Sequence, residues 1–277
     1  MTRMTTGTPA RDSIARDDFR AVFDHVAETC DLPPMPAAAA RALRLARDPN
    51  TTTELLAKVV RTDPALAARV LTMSRSVLYL RQVPPRSLHD AIITVGFQGL
   101  RRILIAASVR WAYSANDKVA HSLWAHSLAT ALAADELAKL GGDPVGSGGG
   151  EAFIAGLLHD IGKLIFHVAD PKAYARLGLF DSANELELFG ATHDVVGSCV
   201  AKIWELDDAI VQAILGHHRT EGASPLAALV ARADRVATEI GYGSVITPEV
   251  VPRPAGESPE LTDRVRTLFE SERALFD

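Results

Sequence analysis

Residues 153–162 read FIAGLLHDIG, an apolar run interrupted by one histidine and one aspartate. The apolar character extends over residues 151–168, which predicts a buried helix in the second half of the chain. A carboxylate in this setting needs a partner or a metal ion, because an isolated buried charge is costly. Lys163 could be that partner through an i,i+3 ion pair with Asp160 on the helix surface. Taken alone, the His159-Asp160 pair is compatible with a structural role or a functional one.

The second half of the chain holds more potential metal ligands, each on a predicted helix or at a helix end. A single histidine on an apolar face is more often a structural residue. The number and the order of these histidines and aspartates together indicate a metal site. Imidazoles and carboxylates suit Fe, Mn, Zn or Ni, and one aspartate can bridge two ions. The sequence therefore predicts a mono- or dinuclear site for a divalent metal. Its predicted ligands are His126, His159, Asp160, His193, His217, His218 and Asp234.

Such a site predicts one particular chemistry. A metal-bridging hydroxide could attack a phosphate ester, while a nearby cation stabilises the charge that develops on the phosphoryl oxygens. Asp160 as the bridge and Lys163 as the cation are the predicted catalytic residues.

Composition favours an all-α fold. Hydrophobic residues make up 48% of the 277 positions and aromatic residues only 6%, while β-branched runs are short. The net charge of −5 argues against a protein that coats nucleic acid, which needs clustered positive charge. Arg101 and Arg102 are adjacent, and we expect them on a solvated helix face.

The expected location is the cytoplasm, with no membrane partner. Cys30 and Cys199 are the two cysteines, far apart, as in proteins of a reducing compartment. The first twelve residues are polar, and no uninterrupted apolar run reaches the 18 or so residues that a membrane helix needs.

Helix signals recur along the chain. Thr51 with Glu54 fits a capping box, and Thr62-Asp63-Pro64 predicts another helix start. A glycine-rich break follows at residues 141–150, and prolines after Gly241 predict an irregular connector. The predicted helices include residues 13–27, 37–46, 87–95, a longer one after Gly96, one beginning near Lys118, and a last one over 261–275.

The ordered histidines and aspartates resemble the HD metal-dependent phosphohydrolase superfamily, most specifically in residues 156–163, GLLHDIGK. The resemblance narrows to the HDOD family through LPPMP at 32–36, TDPALA at 62–67, AIITVG at 91–96, LWAHS at 123–127 and FGATHDVVG at 189–197 with Trp204. It covers roughly residues 23–237. It implies an all-α, two-lobed fold, an N-terminal helical bundle packed on an HD-like bundle.

The same resemblance suggests domain boundaries. We expect a flexible tail over residues 1–12 and an HDOD domain over 13–240, divided into an N-terminal lobe (13–115) and an HD-like lobe (116–240). Residues 241–277 are then the connector and the C-terminal helix.

HDOD domains are generally viewed as non-catalytic or uncharacterised signalling modules, and they also resemble the HD-GYP phosphodiesterases. The segment after His218, RTEGASP, has no Gly-Tyr-Pro signature. Some HD-GYP relatives place an acid one turn before the first histidine, where this chain has Ser122, which argues against a third metal ion.

Two main hypotheses follow. The first is a bacterial signal-transduction protein, a non-catalytic protein-interaction or ligand-sensing module with an HD-type metal pocket. Its partner would be a signalling protein, and exposed helix faces are compatible with a homodimer. The second is a metal-dependent phosphohydrolase or phosphodiesterase acting on a nucleotide or cyclic dinucleotide. A purely structural scaffold would instead leave His193 and His217 without a ligand, while nucleic-acid binding lacks a basic surface.

Overall fold

The computed structural model describes residues 35–79, 83–109, 117–141, 150–175, 177, 182–219, 221–243 and 257–276. Every regular element within these ranges is helical, which confirms the all-α prediction. The α-helices are α1 Ala37–Arg47, α2 Thr53–Val60, α3 Pro64–Met73, α4 Leu88–Val109, α5 Lys118–Gly141, α6 Gly150–Leu158, α7 Ile161–Ala169, α8 Pro171–Tyr174, α9 Ser182–Phe189, α10 His193–Ile203, α11 Asp208–Gly216, α12 Pro225–Glu239 and α13 Pro259–Phe276, and a short 3₁₀ turn spans Val77–Tyr79.

Helices α1, α2 and α3 pack on α4 and form an N-terminal helical group. Local capping sets their starts: Asp63 accepts a hydrogen bond from the Leu66 N–H, with proline at the first helical position. The start of α2 differs from the expectation. Thr52, not Thr51, is the N-cap residue, and it accepts from the Leu55 N–H.

Helix α4 bends at Gly96, as the sequence predicts. This glycine has φ 70° and ψ 178°, a left-handed backbone conformation that interrupts the helix. The longer half beyond it is almost wholly buried on one side through Leu100, Ile103 and Leu104.

The second helical group is built around α5, which packs on α6 and α12. Helix α11 lies between α10 and α12, while α10 also packs on α7 and α13 packs on α5. Contact between α4 and α6 joins the two groups. The single helix expected over residues 151–168 is two helices, because the chain leaves the helix at His159 and Asp160 and resumes at Ile161.

The prediction for the two adjacent arginines is wrong. Arg101 is 6% exposed and forms ion pairs with Glu151 and Asp207. Arg102 is paired with Asp135, and its guanidinium lies 5.2 Å from the centre of the Phe153 ring. Both face the junction with the second helical group because its acidic residues provide partners there.

Two helical stretches are long and apolar enough to cross a membrane by length and composition, Leu88–Val109 and Gly150–Ala169. Most of each is buried inside the helical bundle, as in core helices, so they are weak evidence for a membrane span.

Several predictions lie outside the described residues. They are the tail, the helix at 13–27, Cys30, the loop at 142–149 and most of the connector. Cys199 is described, and it is a free, buried thiol. The domain boundaries stay predictions.

Candidate metal centre

The structure brings all seven predicted ligands together. His126 lies in α5 and Asp234 in α12, while His193 is the first residue of α10. His159 and Asp160 form the break between α6 and α7, and His217 and His218 directly follow α11. Five chain segments therefore converge on one centre.

Asp160 lies in the middle of the cluster, and each of its carboxylate oxygens faces two histidines. Oδ2 is 3.3 Å from Nε2 of His126 and 3.5 Å from Nε2 of His159. Oδ1 is 3.4 Å from Nε2 of His193 and 3.7 Å from Nε2 of His217. Asp160 is also the N-cap residue of α7, but its side chain makes no capping hydrogen bond. The carboxylate is thus directed to the centre and not to the helix end.

Two groups of donor atoms are each compact enough to hold an ion, since the atoms within a group lie within 4.8 Å of one another. The first group is His126, His159 and Asp234, and the second is Asp160, His193, His217 and His218. Oδ2 of Asp160 faces the first group from the second. His126 Nε2 is 3.4 Å from Oδ1 of Asp234.

Main-chain carbonyls orient three of the histidine rings. A carbonyl oxygen can only accept, so the Nδ1 atom that contacts it carries the proton, and the neutral ring presents the lone pair of Nε2 to the centre. The bonds run from Nδ1 of His126 to the Tyr242 carbonyl (2.8 Å), from His159 to Gly156 (2.8 Å) and from His217 to Ile214 (2.6 Å).

Glu185 orients the fourth ring. Its carboxylate accepts from Nδ1 of His193 at 2.8 Å and from the His193 main-chain N–H at 2.9 Å. It therefore caps the first turn of α10 and fixes the ring at the same time. Burial raises the pKa of the Glu185 carboxyl, while its bond to the His193 N–H lowers it.

The donor atoms fit a divalent metal ion. Nε2 of His126 and Nε2 of His159 are 3.1 Å apart, and in the neutral rings each of these nitrogen atoms carries a lone pair. Two lone pairs at this distance repel unless a cation or a proton lies between them. Oδ1 of Asp160 and Nε2 of His217 are buried without a hydrogen-bond partner. A metal ion would satisfy all four atoms.

Protonation states are favourable for ligation. Burial lowers the pKa of His159 to about 3 and that of His193 to about 3, so both rings are neutral at pH 7. Burial raises the pKa of Asp160, but the Lys163 ammonium and the hydrogen bond with His126 outweigh burial and hold the pKa well below its usual value. The aspartate is therefore ionised.

Lys163 does pair with Asp160, but inside the protein and not on the helix surface as predicted. Nζ lies 2.6 Å from Oδ2 of Asp160, and Lys163 is 3% exposed. The i,i+3 spacing puts both side chains on the face of α7 that points to the metal centre. Helix α10 covers this face closely at Gly162, and the pair is therefore buried.

Position 162 requires glycine for a steric reason. A Cβ at this position would lie 2.1 Å from the His193 carbonyl oxygen. Only glycine lets the first turn of α7 approach the first turn of α10, and so brings Asp160 near His193.

Two of the seven predicted ligands reach the surface. His218 is exposed and the Asp234 side chain is 30% exposed, whereas His126, His159 and His193 are buried. The candidate centre is therefore open to solvent at His218 and Asp234.

Two residues that orient the ligands were not predicted from the sequence. Glu185 lies eight residues before His193, a spacing that carries no motif, and Tyr242 contributes only a main-chain carbonyl. No signal in a single sequence would have identified either.

The family model of the HDOD domain matches residues 32–220. The chain belongs to the HDOD domain family. Asp234 and Tyr242 lie beyond the matched residues, so HDOD segments supply most of this centre and the following helix completes it.

Two curated relatives cover part of the chain. An uncharacterised protein of Treponema pallidum (strain Nichols) is 23% identical over 215 residues, 74% of this chain and 42% of that protein. Ribonuclease Y of Fervidobacterium nodosum is 32% identical over 152 residues, 53% of this chain and 24% of the ribonuclease. The chain spans less than half the length of these relatives.

Solved structures share the fold. An HDOD domain protein of unknown function from Geobacter sulfurreducens is 25% identical with a TM-score of 0.66, covering 93% of this chain and 91% of that one. A protein proposed to be a phosphohydrolase, from Shewanella amazonensis, is 24% identical with a TM-score of 0.66 and the same coverage. One proposed to act in signal transduction, from Marinobacter aquaeolei, is 22% identical with a TM-score of 0.70, covering 95% and 67%.

Proposed function

We propose that this HDOD protein is a metal-dependent phosphohydrolase with a dinuclear centre. The observation that carries the proposal is the position of Asp160, whose two oxygens face two separate groups of donor atoms. A bridging carboxylate between two ligand sets is the arrangement of two-metal hydrolytic sites.

The seven ligands would be divided between two ions. His126, His159 and Asp234 with Oδ2 of Asp160 would hold one, and His193, His217 and His218 with Oδ1 would hold the other. Mixed imidazole and carboxylate donors suit Fe, Mn, Zn or Ni. Bound ions would supply a hydroxide nucleophile near neutral pH and neutralise charge on the phosphoryl oxygens.

The residues around the ions have separate tasks. Lys163 donates to Oδ2 of Asp160 and keeps that carboxylate ionised and directed at the centre. His218 and Asp234, at the exposed edge, would meet the phosphate ester first. A nucleotide or cyclic dinucleotide is the substrate class we propose.

Hydrolysis of bis(p-nitrophenyl) phosphate by Mn²⁺-loaded protein tests the proposal. His218→Ala removes an exposed ligand and should lower kcat/KM by at least about a hundredfold, whereas loss of an outer contact costs ten- to a hundredfold. His89→Ala is the matched control, because His89 is a partly exposed histidine that contacts Glu54 in the N-terminal group. Wild-type turnover no faster than free Mn²⁺ would refute the proposal.

A second function is favoured by the contact between Lys163 and Asp160. An ammonium 2.6 Å from Oδ2 competes with an ion for that oxygen and would weaken one of the two ion sites. The chain would then be a cytoplasmic signal-transduction module without turnover, in which one ion stabilises a surface for a signalling protein or a second copy. Metal binding without hydrolysis of the phosphodiester or of nucleotides is the result that supports it.

A further inference from the structure

Two helices of the metal centre have the same construction. Helices α6 and α11 each contain nine residues, and each is followed directly by two ligands, His159-Asp160 and His217-His218. The two helices pack on each other. Each has an acid at its start, namely Glu151 in the first turn of α6 and Asp207 as the N-cap residue of α11.

One side chain from the N-terminal group binds both helix starts. Arg101 of α4 donates from Nη1 to Oε1 of Glu151 at 3.1 Å and from Nη2 to Oδ2 of Asp207 at 2.7 Å. Its side chain is 7% exposed and that of Glu151 is 8% exposed, so this bond is shielded from water and stronger than a surface pair. A rigid guanidinium fork between two acids sets their relative position.

Other contacts hold the same two helix starts against the N-terminal group. A Cβ at Gly150 would lie 2.7 Å from Oε1 of Gln98, so the first residue of α6 lies directly on α4. Arg47, the last residue of α1, donates to the Glu205 carbonyl at 2.7 Å and lies 3.5 Å from Asp207. Glu205 has φ 53°, a left-handed conformation that is unusual outside glycine, in the turn between α10 and α11.

We propose that Arg101 is a positioning residue that fixes the relative axial position of α6 and α11, and that through it the N-terminal helical group regulates the metal centre. The distance from the arginine end to the ligand end is about 13 Å in a helix of this length. A shift of one helix start is carried along the rigid helix to its two ligands. This inference rests on the proposed function only in taking these ligands to bind metal.

Mn²⁺ affinity and the ¹⁵N shifts of the histidine rings in metal-free protein test this role. Arg101→Gln should weaken Mn²⁺ binding by about tenfold, as loss of a ligand-orienting contact does, and should change the ring shifts of His159 and His217. Asp207→Asn, which leaves the bond to Glu151, should weaken binding less. Arg75→Gln is the control, because Arg75 donates to the Pro85 carbonyl at 3.1 Å within the N-terminal group, and its loss should change affinity less than about twofold.

The outcomes separate the two proposals. If folded Arg101→Gln binds Mn²⁺ within twofold of the wild type and its ring shifts are unchanged, Arg101 is not a positioning residue. If the wild type binds no Mn²⁺, the proposed function fails, and a change in the shifts of His159 and His217 caused by Arg101→Gln but not by Arg75→Gln still supports the positioning role.

Discussion

At the scale of single residues, the burial of Asp160 is the central fact. Its side chain is 2% exposed, and an ionised carboxylate is tolerated there because a buried cation pairs with it. Among the described residues, Lys163 is the permanent cation that pairs with it directly, at 2.6 Å. The two residues therefore depend on each other for stability before any metal is bound.

Removing one partner of this pair should cost more than removing both. Asp160→Asn leaves the Lys163 ammonium buried without its counter-charge and should lower the free energy of unfolding by about 3 kcal/mol or more. The double variant Asp160→Asn with Lys163→Met should recover much of that loss, because neither charge remains. Urea denaturation of the metal-free proteins measures both values. Equal or additive losses would show that the pair contributes little.

Acid should destabilise the metal-free protein between pH 6.5 and about 3. His159 and His193 have pKa values of about 3 when folded against 6.5 when unfolded. The unfolded chain therefore binds more protons in this range, so stability present above pH 6.5 is lost as the pH falls. Each ring should lower the free energy of unfolding by roughly 2 kcal/mol as the pH falls from 6.5 to 5.

His126 opposes this trend. Burial lowers its pKa, but the bond to Asp160 and the Asp234 charge outweigh burial and raise it, so its contribution is lost as pH rises. Urea midpoints at pH 7 and pH 5 in the presence of a chelator give the net effect. His159→Gln should show a smaller difference between the two pH values than the wild type. A midpoint at pH 5 equal to or above that at pH 7 would contradict the assignment of neutral, buried rings.

The residue types alone predicted much of this centre. Imidazoles and carboxylates have few reasons to recur on apolar helices, so all seven candidate ligands could be selected from the sequence. The surroundings of Lys163 and Arg101 could not, because the same cationic side chain suits a surface or a buried ion pair. Only the acids that the fold brings near them decide between these environments.

At the scale of helices, the break between α6 and α7 creates the centre. Periodicity over residues 151–168 predicts one continuous helix, since its residues are apolar or glycine except for Glu151, His159, Asp160, Lys163 and His167. The break turns His159 and Asp160 off the helix axis and lets Asp160 face two histidine groups at once. Propensity could not predict it, because the stabilising contacts come from distant segments.

Glycines on α7 and α10 allow the close packing of these helices, but to different degrees. Gly162→Ala would place Cβ 2.1 Å from a main-chain oxygen, which cannot rotate away, so the helix starts must separate. A loss of about 3 kcal/mol in unfolding free energy is expected, with weaker metal binding. At Gly197 the two atoms nearest to a Cβ would be side-chain methyl groups of Ile161 and Ile214, at 3.1 Å, while the Gly162 nitrogen would lie at an ordinary contact distance of 3.6 Å.

Gly197→Ala is therefore the matched control in the same helix pair, and it should cost less than half as much as Gly162→Ala. Thermal and urea denaturation of the two variants, with Mn²⁺ titration of each, provide the comparison. A Gly162→Ala protein as stable as Gly197→Ala would show that α7 and α10 can separate without cost.

At the scale of the whole molecule, segments far apart in sequence complete the centre. The HDOD match ends at residue 220, yet Asp234 supplies a donor atom and the Tyr242 carbonyl orients His126. The Tyr242 ring packs on Phe269 of α13, with ring centres 4.0 Å apart. The C-terminal helix thereby supports a site that begins more than a hundred residues earlier.

The all-α architecture could be predicted because helical periodicity and the family motifs agree along most of the chain. The contact between the two helical groups could not, because it depends on buried ion pairs such as Arg101 with Glu151, which leave no periodic trace. That contact is where we place the regulation of the metal centre.

The central claim is that two ions share Asp160. The most direct measurement is the number of Mn²⁺ ions per chain by inductively coupled plasma mass spectrometry, with electron paramagnetic resonance on the same sample, for the wild type and Asp160→Asn purified without a metal-affinity tag. We expect two ions per wild-type chain with magnetic coupling between them, and loss of the coupling in Asp160→Asn. A wild-type protein that holds no ion, or ions without coupling, would contradict it.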